Sequence, residues 1–368
     1  MADAPSVELS FTPAGPEFSI TEDCVMPTIT AIAALKNYTP NAKAPVPLVF
    51  SWKATLIFKD AGCSYSCGRV IKHPELTQQG LSEKFPLKFT QVRGGDLTVS
   101  VTVTGGTLNV SKSREKLKII GTNPSVGTLT TYVQMPSRPG FRKLMRLESG
   151  LKQFRSPSCP LFSSDNFGGV GICQITKPAP SDDEVWSWKA NVAAGWKLYQ
   201  SKEQEAKNYV KNLKTGAEFQ ALVKAYNDNR IAKAKAAAAV TPGVAGTAGA
   251  QPTSAPTAPV PGLQPPPAGA GEVKPLTIEL PDYTDEQLER DTLRGFNGWA
   301  GQLHEYKVKV DANALLVVTV DASGLTGKAE WQLVTAADRT AYYDKIGLDQ
   351  NKRGDPNYVD DVEKLSSF

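Results

Sequence analysis

The chain has 368 residues, enough for two domains with separate cores. Its 40% apolar and 21% charged residues exclude a wholly disordered or membrane-embedded chain, and a net charge of +4 is too small to imply nucleic-acid binding. Charge is unevenly placed: residues 1–137 carry 13 basic and 10 acidic side chains, 138–238 carry 17 and 9, and 274–368 carry 11 and 17.

The first fifteen residues, MADAPSVELSFTPAG, have neither a basic opening nor an apolar core of the secretory type, and no run approaches the ~18 apolar residues of a membrane span. The expectation is synthesis in the cytoplasm without a secretory signal and no membrane span. From Ser6 to about 125, short apolar runs are separated by turn residues. Leu97, Val99, Val101 and Val103 alternate with Thr and Ser, the period of a half-buried strand. Residues 1–137 are therefore expected to form an all-β sandwich of immunoglobulin-like type, a module that binds or docks. Cys63 and Cys67, or Cys159 and Cys173, are close enough in sequence for local bridges, with buried thiols as the plainer expectation. With only His73 and His304 in the chain, no zinc site is completed, and neither metal nor cofactor is expected.

Beyond 138 the period becomes helical. In FRKLMRLESGLKQF, Phe141, Leu144, Met145, Leu151 and Phe154 make an apolar stripe, and Glu148 falls within it. A carboxylate placed so loses hydration, which raises its pKa above the ordinary value of about 4.3. That suits a general acid, and glycosidic cleavage requires one because a sugar alkoxide leaves poorly. Next, PLFSSDNFGGVGICQIT gathers Gly168, Gly169 and Gly171 before an apolar run containing Gln174, whose amide suits a sugar hydroxyl or acetamido group. Ser181 and Glu184 form a capping box ahead of a stripe of Val185, Trp188, Val192, Gly195 and Tyr199. A further helix carries Phe219, Leu222, Val223 and Tyr226. From 236 to 273 the chain is rich in Pro, Ala and Gly and almost free of charge, as expected of a disordered insertion. A second capping box, Thr284 with Gln287, then opens a helix; EYKVKVDANALLVVTVDA reads as a β-hairpin and TAADRTAYYDKIG as the closing helix. Trp186, Trp188, Trp196, Trp299 and Trp331 offer sugar-stacking faces, though most sit at core spacings.

Glu148-Ser149-Gly150 on a helix, followed by Gly-x-Gly-Ile-x-Gln-Ile, resembles the soluble lytic transglycosylase and goose-type lysozyme superfamily. WKANVAAGWKLY resembles that family's Asn-bearing helix at Asn191 and Gly195. LRGFNGW resembles its Tyr-Asn-x-Gly element at Phe296, Asn297 and Gly298, and RTAYYDKI its last helix at Tyr342 or Tyr343. The resemblance runs from about 138 to 350. It implies an α-rich lysozyme-like domain over 138–368 with a small β-hairpin, interrupted by the insertion at 236–273. It also implies that Glu148 is the catalytic acid and base, with Ser149 supporting it. Asp165, Gly169, Gln174, Asn191, Asn297 and Tyr342 would contact substrate. The substrate would be peptidoglycan, cut at the β-1,4 bond between N-acetylmuramic acid and N-acetylglucosamine.

Two departures shape that expectation. The second aspartate of goose-type lysozymes falls at Thr176, which favours a one-carboxylate lytic transglycosylase over a hydrolytic muramidase or chitinase-like enzyme, and Phe296 replaces the family's Tyr. A leaderless wall-cutting enzyme would reach the wall or periplasm through a phage lysis programme, a phage tail, or a contractile injection or type VI secretion apparatus, with 1–137 docking on the carrier. A different class of reading is a non-catalytic tail or injection-system protein that retains the lysozyme fold.

Overall fold

The alternation seen in the sequence decides the first layers. In the computed structural model, which describes residues 4–39, 46–133, 139–164, 168–239 and 273–366, Leu97, Val99, Val101 and Val103 all point into the core while the Thr and Ser between them do not. The chain divides into two compact units, Met1–Lys202 with Asn357–Phe368, and Glu203–Pro356. The boundary expected at 137 falls inside the first.

The first unit begins with β1 (Ser6–Thr12), β2 (Glu17–Ser19), β3 (Ile29–Lys36), β4 (Val49–Lys59), β5 (Val70–Lys72), β6 (Leu76–Gly80), β7 (Lys84–Leu87), β8 (Gly95–Gly105) and β9 (Leu108–Ile120). One sheet runs β1-β3-β7 and another β2-β9-β8-β4-β5, with β6 also paired to β4. Pairing is antiparallel except between β2 and β9. Inner faces of both sheets share one core, in which Trp52 meets Phe85 with ring centroids 5.6 Å apart.

Helical residues continue that core. After α1 (Val126–Val133), α2 (Pro139–Ser149), β10 (Phe154–Ser156) and β11 (Cys159–Pro160), the expected capping box of Ser181 and Glu184 opens α3 (Asp182–Trp186). Ser187 interrupts before α4 (Trp188–Thr215). Trp186 sits 5.1 Å from Phe58 and 5.5 Å from Phe154, centroid to centroid, and a Cβ at Gly94 would overlap its ring. This aromatic plug makes residues 138–202 part of the same compact unit as the sheets.

Cys63 is bonded to Cys159, 96 residues away, which replaces both expected local bridges and leaves Cys24, Cys67 and Cys173 as thiols. Such a link removes conformations from the unfolded chain. Reduction, or Cys63→Ser, is expected to cost about 2–4 kcal/mol, read as a lower urea midpoint; an unchanged midpoint would mean the link contributes nothing.

Within the second unit are α5 (Ala217–Ala239), β12 (Thr277–Glu279), α6 (Asp285–Phe296), β13 (Tyr306–Val308), β14 (Val318–Val320), β15 (Thr326–Ala329), β16 (Trp331–Leu333) and α7 (Ala336–Lys345). Helix α5 extends through 236–239, so the helix reaches past the expected start of the insertion; 240–272 lies outside the described residues. The expected hairpin forms only near its tip, where Val317 donates to Lys309 and Asp311 to Leu315. Its arms exchange partners, β13 pairing with β16 and β14 with β15. Phe219, Leu276, Ile278, Leu280, Leu316 and Ala329 form the apolar core, and the buried Asn227 amide clamps Leu276 through both its backbone N–H and C=O. Helix α7 is not the last; α8 (Tyr358–Lys364) follows and belongs to the first unit. No helix among the described residues is long and apolar enough to cross a membrane.

Candidate functional site

Helix α2 buries Phe141, Leu144 and Met145 completely, which brings Glu148 to the margin of the core, half-buried. Gly150 (φ 61°) and Leu151 (φ 66°) turn left-handed and end the helix there, so Leu151 leaves the stripe it was expected to continue. The Tyr358 hydroxyl on α8 donates to Glu148 Oε1 at 2.5 Å. That helix is fixed by buried Tyr358, Val359 and Val362, and by Lys143 and Arg146 of α2, which donate to the carbonyls of Glu363 and Ser366.

The glycine loop belongs to the same compact unit as this pair. Two fully buried amides fold it. Asn191 receives the Cys173 N–H at 2.9 Å and donates to Val170 and Glu184 carbonyls; Gln153 receives the Ile172 N–H and donates to Glu184 and Val185 carbonyls. Gly171 (φ 72°) is required, since a Cβ there would stand 2.5 Å from Gln153 Oε1. Burial raises the Cys173 thiol well above its ordinary range, and the Glu148 charge adds to the effect.

Asn191 thus holds the loop from within and cannot reach substrate, a correction to its expected contact. Ser149 donates its hydroxyl proton to Met145 O at 3.0 Å, within its own helix, and so does not support Glu148 as expected. Gly169 is buried and exchanges hydrogen bonds with Ser163, and a Cβ there would stand only 3.1 Å from Gln174 Oε1. Gln174, half-buried at φ 46°, donates its amide to Gly171 O at 2.8 Å. Its side-chain carbonyl makes no hydrogen bond among the described residues. Asp165 lies outside the described residues.

The remaining expected residues belong to the second unit. Asn297 caps α6 and accepts the Asp355 N–H at 3.1 Å, and Tyr342 donates to Gly301 O at 3.3 Å; both side chains brace turns. The tyrosine set against Glu148 is Tyr358, where Tyr342 was expected to serve the site. Its signal was the spacing Tyr-Val-x-x-Val in PNYVDDV, a short helical face. Trp186 and Trp188 are core residues, and Trp331 donates to Pro281 O.

A cavity of about 520 Å³ opens in the second unit, lined by Tyr209, Trp299 and His304, and Glu148 has no part in it. Among the described residues no group of three or more His, Cys, Asp or Glu side chains is placed to hold a metal ion.

No protein-family model, curated protein or solved structure matches this chain.

Proposed function

We propose that this chain cleaves peptidoglycan at the β-1,4 bond between N-acetylmuramic acid and N-acetylglucosamine, as a lytic transglycosylase with Glu148 as its single catalytic carboxylate. In this reading the two sheets are an immunoglobulin-like module, and the helical residues from 138 onward supply a lysozyme-like framework. Delivery to the wall falls to a phage or contractile secretion carrier on which residues 1–137 dock.

The Glu148 carboxyl gives its proton to the glycosidic oxygen as the bond from C1 breaks, and positive charge develops at C1 of the muramoyl ring. The carboxylate so formed takes the proton of that sugar's C6 hydroxyl, whose oxygen closes on C1. One product carries a 1,6-anhydro end, the other a free 4-hydroxyl, and Glu148 recovers its proton without water. Gln174's free carbonyl would accept from a sugar hydroxyl or acetamido N–H.

The observation that carries the reading is the orientation of Glu148: half-buried at the end of α2 and held by Tyr358 at 2.5 Å. A carboxyl group fixed in this way needs little reorganisation to meet a bound ether oxygen. The test is mass spectrometry of purified sacculi digested by the full chain. Anhydro-muropeptides are expected; reducing-end sugars would replace the reading with a hydrolytic muramidase, and no product would leave a non-catalytic carrier protein. Tyr358→Phe, which removes one oxygen, is expected to lower the turnover of that digestion about 10-fold or more with an unchanged circular dichroism spectrum. Full activity in that variant would deny the hydroxyl any part in positioning Glu148.

A further inference from the structure

The cavity of the second unit is built around an imidazole. Asp291, completely buried on α6, receives three donors: His304 Nδ1 at 2.8 Å, the Glu305 N–H at 2.7 Å and Trp299 Nε1 at 3.2 Å. A carboxylate bound this way accepts the proton of Nδ1, and whenever the ring is neutral the lone pair is then on Nε2. The ring cannot turn away. Tyr209 stacks on it at 3.7 Å and 9° between planes, and Trp299 lies 4.7 Å off at 34°. Arg339 holds the carbonyls of Leu303 and His304, which fixes the backbone beneath. Nε2 makes no hydrogen bond among the described residues, and His304 lines the cavity.

The rest of the lining has one chemical character. Glu205 and Glu218 bring carboxylates, Asn208 and Asn212 bring amides, and none of the described lining residues is Lys or Arg. Burial, then the Asp291 charge and last that of Glu218, push the Tyr209 hydroxyl up to about 12, so it stays protonated and donates to Tyr306 O at 3.2 Å. No lysine or arginine of the described lining offers an anionic ligand a countercharge. An ammonium would find carboxylates, an imidazole lone pair, amide carbonyls and aromatic faces.

We infer that the second unit carries a binding site for a primary ammonium group on a small polar ligand, with His304 Nε2, Glu205 and Glu218 as its acceptors and Trp299 as its aromatic wall. A de-N-acetylated amino sugar and the amine of a wall or protein peptide share this chemistry. The site stands on the second unit alone and needs no part of the glycan-cleaving reading.

Isothermal titration calorimetry of the full chain at pH 8 and low salt tests it with three probes: a glucosamine trimer, its fully N-acetylated counterpart, and lysinamide. At least one amine is expected to bind, and the N-acetylated trimer about tenfold or more weaker than its amine form. Tighter binding of the glucosamine trimer assigns the site to an amino sugar, tighter lysinamide to a peptide amine; either supports the inference. Glu205→Gln with Glu218→Gln, both exposed and so tolerable to the fold, is expected to weaken the amine about tenfold at an unchanged melting temperature. His304→Asn, whose amide N–H stands where Nδ1 donates to Asp291 but which has nothing at the Nε2 position, is expected to do the same. Equal binding of the two trimers, amine binding untouched by the double substitution, or no binding by any probe would overturn the inference.

Discussion

Glu148→Gln is expected to reduce the release of glycan products from purified sacculi by about 10²–10⁴-fold, the range that a positioned general acid contributes. Glutamine has nearly the same shape, and its carbonyl still accepts from the Tyr358 hydroxyl that now meets Oε1 at 2.5 Å. The apolar residues that seat α2, Phe141, Leu144 and Met145, are untouched, so the melting temperature should hardly move. What is lost is the proton. Without it the departing sugar must leave as an alkoxide, and nothing then receives the C6 proton. If the variant cleared sacculi within about threefold of the parent, Glu148 would be a structural carboxylate and the catalytic reading would fail.

The second large effect concerns stability. Glu305→Gln is expected to destabilise the second unit by about 3–5 kcal/mol, the usual consequence of removing one partner from a buried charge cluster. Glu305 is buried and receives Arg290 at 3.1 Å, Arg294 at 3.0 Å and Arg339 at 2.6 Å. Arg294 also binds the carbonyls of Asp355 and Pro356, and Arg339 those of Leu303 and His304. With Glu305 neutral, Arg294 and Arg339 would lose the ion-pair partner they share while staying buried. Burial already pulls the Arg339 guanidinium below its ordinary range, with the Arg294 charge adding to it. Urea unfolding and hydrogen exchange in α6 and α7 would measure the loss. Glu330→Gln is the control: its pairing with Lys309 at 2.8 Å is part-exposed and should be worth about 1 kcal/mol or less. Equal losses from the two substitutions would show that the arginine cluster contributes no more than a surface pair.

Local features were legible in the sequence, because local chemistry alone determines them. Both expected capping boxes form, Ser181 with Glu184 and Thr284 with Gln287, and the alternation through Val103 does mark a strand with one buried face. The helix bearing Glu148 could be read from its apolar period, though not its end, which rests on left-handed Gly150 and Leu151. Asn191 misled because an amide serves a sugar or a backbone equally well, and only burial distinguishes the two. Tyr358 was passed over for Tyr342 because a seven-residue helix offers little period to detect. The exchanged arms of β13 and β14 and the Cys63–Cys159 pair depend on partners distant in sequence, which spacing cannot supply.

That sulfur link also depends on compartment. Surroundings rich in reduced glutathione keep cysteines as thiols, whereas the periplasm and cell exterior oxidise them. In the former the 96-residue span between Cys63 and Cys159 would stay unfastened, and the unfolded chain would keep the conformations that the link removes. In oxidising surroundings the clasp would close, so the same sequence would be held more firmly outside a reducing compartment than within one.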